Sequence, residues 1–264
     1  MGYCPEKETK RKGNCIVKCA KKRWYRALLS LIKVFHKKST FVFLGEKPQG
    51  PAVIVSNHVG ASGPLSLEVH YDEPVRIWGA HEMSESLRSA YKYQTQIYYH
   101  QKHGWNIHLA RLACLIITPL TYLFYCGLNL IPTYRDIRFC STVRESLSVI
   151  SQGQSIVIFP EDSDGGYHDH LTSFHCGFLA FLRIAKKRGY DLPIYVAYLD
   201  KKTKLHLFDV PVKYSDLVAS GASHEELAEM LCQRCNELGE MCRSGQISIG
   251  HGKQKKAQVS SQIS

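Results

Sequence analysis

An imidazole at the end of an apolar strand is a proton acceptor held in a fixed place, and NHVGASGP, residues 57–64, puts His58 there. The run before it, residues 52–56, is short and apolar, as a buried strand is, and Pro64 favours the first position of a helix. Much further along, a second apolar run, residues 155–159, ends in FPEDSD and delivers Glu161, Asp162 and Asp164 to another strand end. An imidazole and carboxylates delivered to two strand ends together suggest a chemical site, since a positioned histidine is the commonest proton-transfer group.

Such strand ends need a sheet to carry them. Residues 40–44, 52–56, 75–80, 131–134, 155–159, 193–199 and 204–211 read as strands or short extended runs. Helical patterns follow Pro64 and recur near 139–152, near 177–187 and over 223–242. This alternation predicts an α/β fold, a single twisted sheet with helices on both faces. The polar, tyrosine-rich stretch 84–108 takes no assignment.

Two segments point towards lipid. Residues 24–35, WYRALLSLIKVF, make a basic amphipathic helix that lies either flat on an anionic bilayer or on the core. Residues 112–130, LACLIITPLTYLFYCGLNL, carry no charge and reach the length of a membrane span. Pro119 and Gly127 are expected to break that run, and a span would part the two chemical strand ends across a bilayer. A core helix or a segment half-inserted in one leaflet is therefore expected.

The net charge is +11, and 44% of the 264 residues are hydrophobic. That composition fits one domain, residues 23–249, between a basic leader, 1–22, and a basic tail, 250–264, expected to be disordered. No helix-turn-helix, paired Cys/His finger or RNA-binding aromatic motif accompanies the charge, so the expected partner is an anionic membrane surface and not nucleic acid. Ten cysteines, scattered through apparent helices, fit a reducing cytosol and the cytoplasmic side of a membrane. Cys232 and Cys235 form a CxxC, with Cys15 and Cys19 as possible partners, but they fall inside a helical pattern without the turn glycines of a zinc knuckle. The N-terminus has no secretory core, and Glu6 stands where a myristoylation signal needs Ser or Thr.

Four segments then stand in a telling order: NHVGASGP at Asn57, LIPTYRD at Leu130, IVIFPEDSD at Ile156 and LPIYVAYLD at Leu192, with PVRIWGAHEM, residues 74–83, after the first. The series resembles the glycerolipid acyltransferase family, which acylates lysophosphatidic acid and related lysophospholipids, over roughly residues 51–214. The resemblance implies transfer of a fatty acyl group from acyl-CoA or acyl carrier protein, as co-substrate, to a hydroxyl or amine of a lipid-like acceptor, with no other cofactor. It makes His58 the general base, with the following helix helping to hold the oxyanion. It makes Asn57, Gly63, Arg135, Pro160, Glu161, Asp162 and Ser163 substrate contacts, with Arg135 at the position that meets an acceptor phosphate.

The chain departs from the family pattern at two motifs. Gly63 stands where the family has the aspartate that orients the histidine, and mis-setting such a partner in serine proteases costs on the order of ten-thousand-fold in turnover. Glu161 is the expected substitute, ahead of Asp162, Glu82 and a supporting Ser62. In the third motif Asp162 replaces a glycine and Asp164 an arginine. Like charges 4 Å apart repel by about 1 kcal/mol in water and about 4 kcal/mol near a protein surface, which disfavours a phosphorylated acceptor. An acceptor with an amine or several hydroxyls, or a bridging cation, suits the acids better. In the fourth motif Pro193 and Ile194 match, while Val196 stands where a second proline is common.

Other readings of these residues stay open. Arg135 can pair with Asp136. Asp162, Asp164, Asp169, His168, His170 and His175 can be a metal cluster, although the glycines Gly165 and Gly166 favour a mobile, solvated loop. A catalytically silent relative would keep the fold as a lipid-binding or scaffold protein. A hydrolase using Ser62 or Ser163 lacks a nucleophile-elbow pattern. Geometry separates the first two classes: a carboxylate within about 3.5 Å of the His58 ring marks an enzyme, and an isolated ring favours the silent relative.

Overall fold

The computed structural model describes residues 23–163 and 166–245. Expectations for the leader 1–22, for Cys15 and Cys19, for Asp164 and for the tail from 250 lie outside the described residues.

Two short strands of apolar β-branched residues, β2 (Val53–Ser56, VIVS) and β5 (Ser155–Ile158, SIVI), are buried along their whole length. Burial on both faces is the condition of central strands in a parallel sheet. Around them stand β1 (Thr40–Phe43), β3 (Val75–Ala80), β4 (Ile131–Thr133), β6 (Pro193–Asp200), β7 (Leu205–Phe208) and β8 (Val212–Lys213). They form one mixed, mostly parallel eight-stranded sheet of order β1-β7-β6-β2-β5-β3-β4, with β8 beside β6. Only β7 and β8 run antiparallel to β6; the other pairs are parallel.

Side chains of β2 and β5 alternate between two cores, as the pleat requires. Val53, Val55, Ile156 and Ile158 meet the apolar stripes of α6 (Phe139–Ser151), α7 (Gly177–Lys187) and α9 (His224–Arg243). Ile54 and Val157 meet Tyr25 of α1 (Arg23–Phe35) and Leu67 of α2 (Ser62–His70). Helices thus cover both faces. A capping box of Ser223 and Glu226 opens α9, and a short α8 (Tyr214–Val218) leads into it.

Between β3 and β4 the chain makes a helical excursion. The unassigned tyrosine-rich stretch folds as α3 (Glu82–Glu85), α4 (Leu87–Tyr93) and a π-helix (Gln94–Lys102). Then comes α5 (Ile107–Leu128), capped by the Asn106 side chain and ended by left-handed Asn129.

Three expectations are corrected here. Pro119 and Gly127 do not break α5, which runs unbroken through both. A proline forfeits a single N–H bond, and Gly127 serves a close approach: a Cβ there would lie 2.0 Å from Cδ2 of the buried Tyr25 ring. Nor is α5 a core helix, since Leu112 is 67% and Ile116 74% exposed. Finally, Pro64 is the third residue of α2 and not its first.

Candidate functional site

Parallel strands send their carboxyl ends to one edge, and open α/β sheets bind ligands where neighbouring strands send their connections to opposite faces. In this sheet that point lies between β2 and β5. After β2 the chain turns into α2 on one face, and after β5 it runs through a long loop into α7 on the other. His58 and Glu161 sit at the two strand ends, joined by a bond of 2.8 Å from the His58 backbone N–H to Glu161 Oε2.

Glu161 therefore holds the main chain of His58 and not its ring. Among the described residues no carboxylate pairs with the imidazole, and Nδ1 is buried without a hydrogen-bond partner. Nδ1 is the nitrogen that a triad carboxylate would hold. An unmet buried polar atom costs about 1–3 kcal/mol. The expected replacement of the missing aspartate by Glu161 is corrected in this respect, because the acid reaches the right residue at the wrong atom.

Aromatic rings enclose the imidazole. Tyr167 stacks on it with centroids 5.1 Å apart and planes 24° apart, and Phe159 meets it at 5.0 Å and 59°. Burial, and then the Lys102 ammonium, lower the His58 pKa to about 4. The ring is neutral at pH 7, the state a base needs, but its proton affinity is weak. Burial raises the Glu161 carboxyl, opposed by the His58 N–H and by Lys102.

The turn that carries His58 is constrained. Val59, a β-branched residue, takes φ 49° and Gly60 takes φ 61°, both left-handed. At Val59 this conformation costs about 1–3 kcal/mol and persists only where the surroundings over-determine the backbone, whereas glycine adopts it freely. Gly60 lies under Tyr98 and Tyr167, whose Oη and ring carbons would sit 3.6 and 3.8 Å from a Cβ. At Gly63 the backbone has closed in: a Cβ would stand 2.4 Å from the His58 carbonyl oxygen. Helix α2 starts here with no side-chain cap, so its positive end faces the site.

The remaining candidates divide into two groups. Asn57, Gly63, Pro160, Glu161 and Ser163 gather at the β2 and β5 ends. Asn57 is structural, bonding Leu199 N at 2.7 Å and Leu199 O at 3.1 Å and so tying β2 to β6. Ser163 is buried and accepts from Lys102 Nζ. Asp162 lies in the same loop, its backbone N–H bonded to Ser173 O at 3.1 Å. Arg135 is exposed beyond β4, which lies three strand positions from β2 in the sheet. Its expected partner Asp136 instead binds Arg138 at 2.8 Å, and Glu82 pairs with His81 at 3.1 Å.

The loop after Glu161 is anchored at particular described residues. A bridge joins Glu161 to Phe174, Leu171 and Phe174 are buried, and Asn236 of α9 grips both backbone groups of Leu171. His168, Asp169, His170 and His175 do face solvent. Among the described residues no three His, Cys, Asp or Glu side chains converge as metal ligands. Cys232 and Cys235 are buried in α9, where Cys235 Sγ donates to Ala197 O at 3.3 Å.

Sequence reasoning missed Lys102, Tyr98 and Tyr167. The π-helix brings Lys102 to within 5.5 Å of the Tyr167 ring and to Ser163, so the site contains a cation as well as acids. π-Helical turns are rare and concentrate at functional sites, and the density of tyrosine and histidine over 91–105 was the available sign. Comparison with protein-family models and with curated proteins finds no match for this chain.

Proposed function

We propose that the chain transfers a fatty acyl group from an acyl thioester, acyl-CoA or acyl carrier protein, to a hydroxyl or amine of a lipid-like acceptor at a membrane surface. The observation that carries this reading is the meeting of His58, Glu161, Ser163 and Lys102 at the β2/β5 switch point. In the proposed step neutral His58 takes the acceptor proton as the oxygen or nitrogen attacks the thioester carbonyl. The α2 terminus and Lys102 favour the negative oxygen of the tetrahedral intermediate. The thiolate then leaves and recovers the proton from the imidazolium. A glycerolipid-acyltransferase-like fold, with a lysophospholipid among the candidate acceptors, is the finer form of the same proposal. Lys102 offsets the acids of the third motif, which returns anionic acceptors to consideration.

One observation favours a second reading, a silent lipid-binding or scaffold protein: among the described residues no acid holds the ring, and its pKa is lowered to about 4. Incubating purified protein with labelled acyl thioesters and a lipid extract separates the two. General-base catalysis contributes about 10²- to 10⁴-fold, so His58→Ala should lower product formation by at least the smaller factor. Equal product from wild type and variant assigns the silent role.

A further inference from the structure

Helix α5 is built inside out. Its buried stripe is small and partly polar, Ala110, Cys114 and Thr118. Its outward stripe is Leu109, Leu112, Leu115, Ile116, Leu120 and Leu123, each between 48% and 74% exposed. Inside, Thr118 Oγ1 donates to Gln94 Oε1 at 2.8 Å, and Gln94 Nε2 donates to Thr121 Oγ1 at 2.5 Å. Small residues and polar bonds on the packed side with leucine outside are the pattern of helices whose solvent is hydrocarbon.

Helix α1 continues the same surface. Tyr25 fills the gap at Gly127 and packs on Phe124 at 5.8 Å, which leaves Trp24, Leu31, Val34 and Phe35 turned outward. Neither helix contains an acidic residue, while Arg23, Arg26, Lys33 and Arg111 stand exposed among the apolar side chains. Apolar residues interleaved with cations alone match one occupant, an anionic lipid leaflet.

The packing also fixes the orientation. α4 and the π-helix lie along α5, with Tyr91 Oη bonded to Arg111 O at 3.0 Å. A transmembrane α5 would draw Arg88, Lys92 and Lys102 into hydrocarbon at about 2.5–3.5 kcal/mol each. We infer that α1 and α5 together form a monotopic face that lies in the plane of one anionic leaflet, with the outward leucines among the acyl chains. This deepens the proposed acyl transfer by naming where the lipid is met, and it rests on helix polarity, not on His58.

The test is flotation of the full chain with vesicles of phosphatidylcholine alone or mixed with phosphatidylglycerol. Binding should favour the anionic vesicles and fall, without vanishing, in 1 M salt, where screening acts within about 3 Å. The triple variant Leu112→Glu/Ile116→Glu/Leu120→Glu should keep the wild-type melting temperature and bind at least about 100-fold more weakly, because a buried carboxylate in lipid costs kilocalories. Trp24 and Trp105 should be quenched by lipids brominated near the headgroup, and Trp78, packed on Phe139 and Phe181, should not. Three results overturn the inference: wild-type binding by the triple variant, loss of self-association in that variant from a wild type that ignores vesicles, or labelling of Cys126 from the far side of a sealed vesicle. His58→Ala should float like wild type, so a failed flotation and a failed acyl-transfer assay are told apart.

Discussion

Helices α5 and α9 are nearly equal in length, 22 and 20 residues, and opposite in construction. α9 turns Leu227, Leu231, Cys235 and Leu238 inward and Glu225, Glu229 and Glu240 outward. α5 turns threonine and alanine inward and leucine outward. Apolar area removed from water stabilises by roughly 25 cal/mol per Å², so α9 draws its stability from the protein interior. α5 withholds the same surface from that interior. One chain thus carries helices suited to two solvents, and the site lies on the sheet between them.

The largest effect expected from this contrast is in paired truncations. Leu238→Ala, in the α9 core, should lower unfolding free energy by about 2–5 kcal/mol. Ile116→Ala, an equal-sized apolar residue on α5, should change it by less than about 0.5 kcal/mol. Urea titrations in vesicle-free buffer measure both, and equal losses would mean that α5 is an ordinary core helix. A smaller effect is expected at the polar contact beneath α5. Thr118→Val leaves Gln94 Oε1 short of a donor, at about 1–3 kcal/mol, and pairing it with Gln94→Leu should recover part of that loss. An additive double variant would show that the two side chains do not act together.

A third effect, different in kind, is a pH dependence carried by two buried histidines. Burial lowers the His58 pKa to about 4 and that of His206, whose Nε2 lies 2.7 Å from Ser66 Oγ, to about 3. Above pH 6.5 neither folded nor unfolded chain protonates these rings. Below it the unfolded chain binds protons that the folded one refuses, so stability falls as pH drops from about 6.5 towards 4. Thermal melts across that range should show the slope, and His206→Gln should flatten it. If His58 is the base, turnover stays level from pH 7 to 5 and falls near 4. An acidic limb near 6.5 would mean that the ring is open to water.

Much of the sheet was legible because central strands announce themselves as short β-branched runs between turn residues. The bounds of β3 and α7 were read to the residue, and β2, β5 and α9 to within one position at either end. In the excursion between β3 and β4 the apolar run of α5 was legible as a helix, but α3, α4 and the π-helix were not. The π-helix places side chains at a spacing that neither the helical nor the strand template matches, so Lys102 and Tyr98 went unassigned. α5 was misjudged in continuity because Pro119 and Gly127 are breakers by local chemistry, while their effect here is set by packing against α4 and Tyr25. Pairing of His58 with Glu161 was foreseen, but the bonded atom was not. Sequence order brings residues to a strand end; which way a carboxylate turns there depends on atoms contributed by distant segments, such as the His58 N–H and Lys102 of the π-helix.

The closed turn at Gly63 limits how an acid could be given to the imidazole. With only hydrogen at that position, the His58 carbonyl oxygen lies where a side chain would begin. A carboxylate introduced there by one substitution would wedge the turn apart before it could reach the ring. Val59 and Gly60 would have to move first, so an acid supplied by another segment is the less disruptive way to hold this histidine.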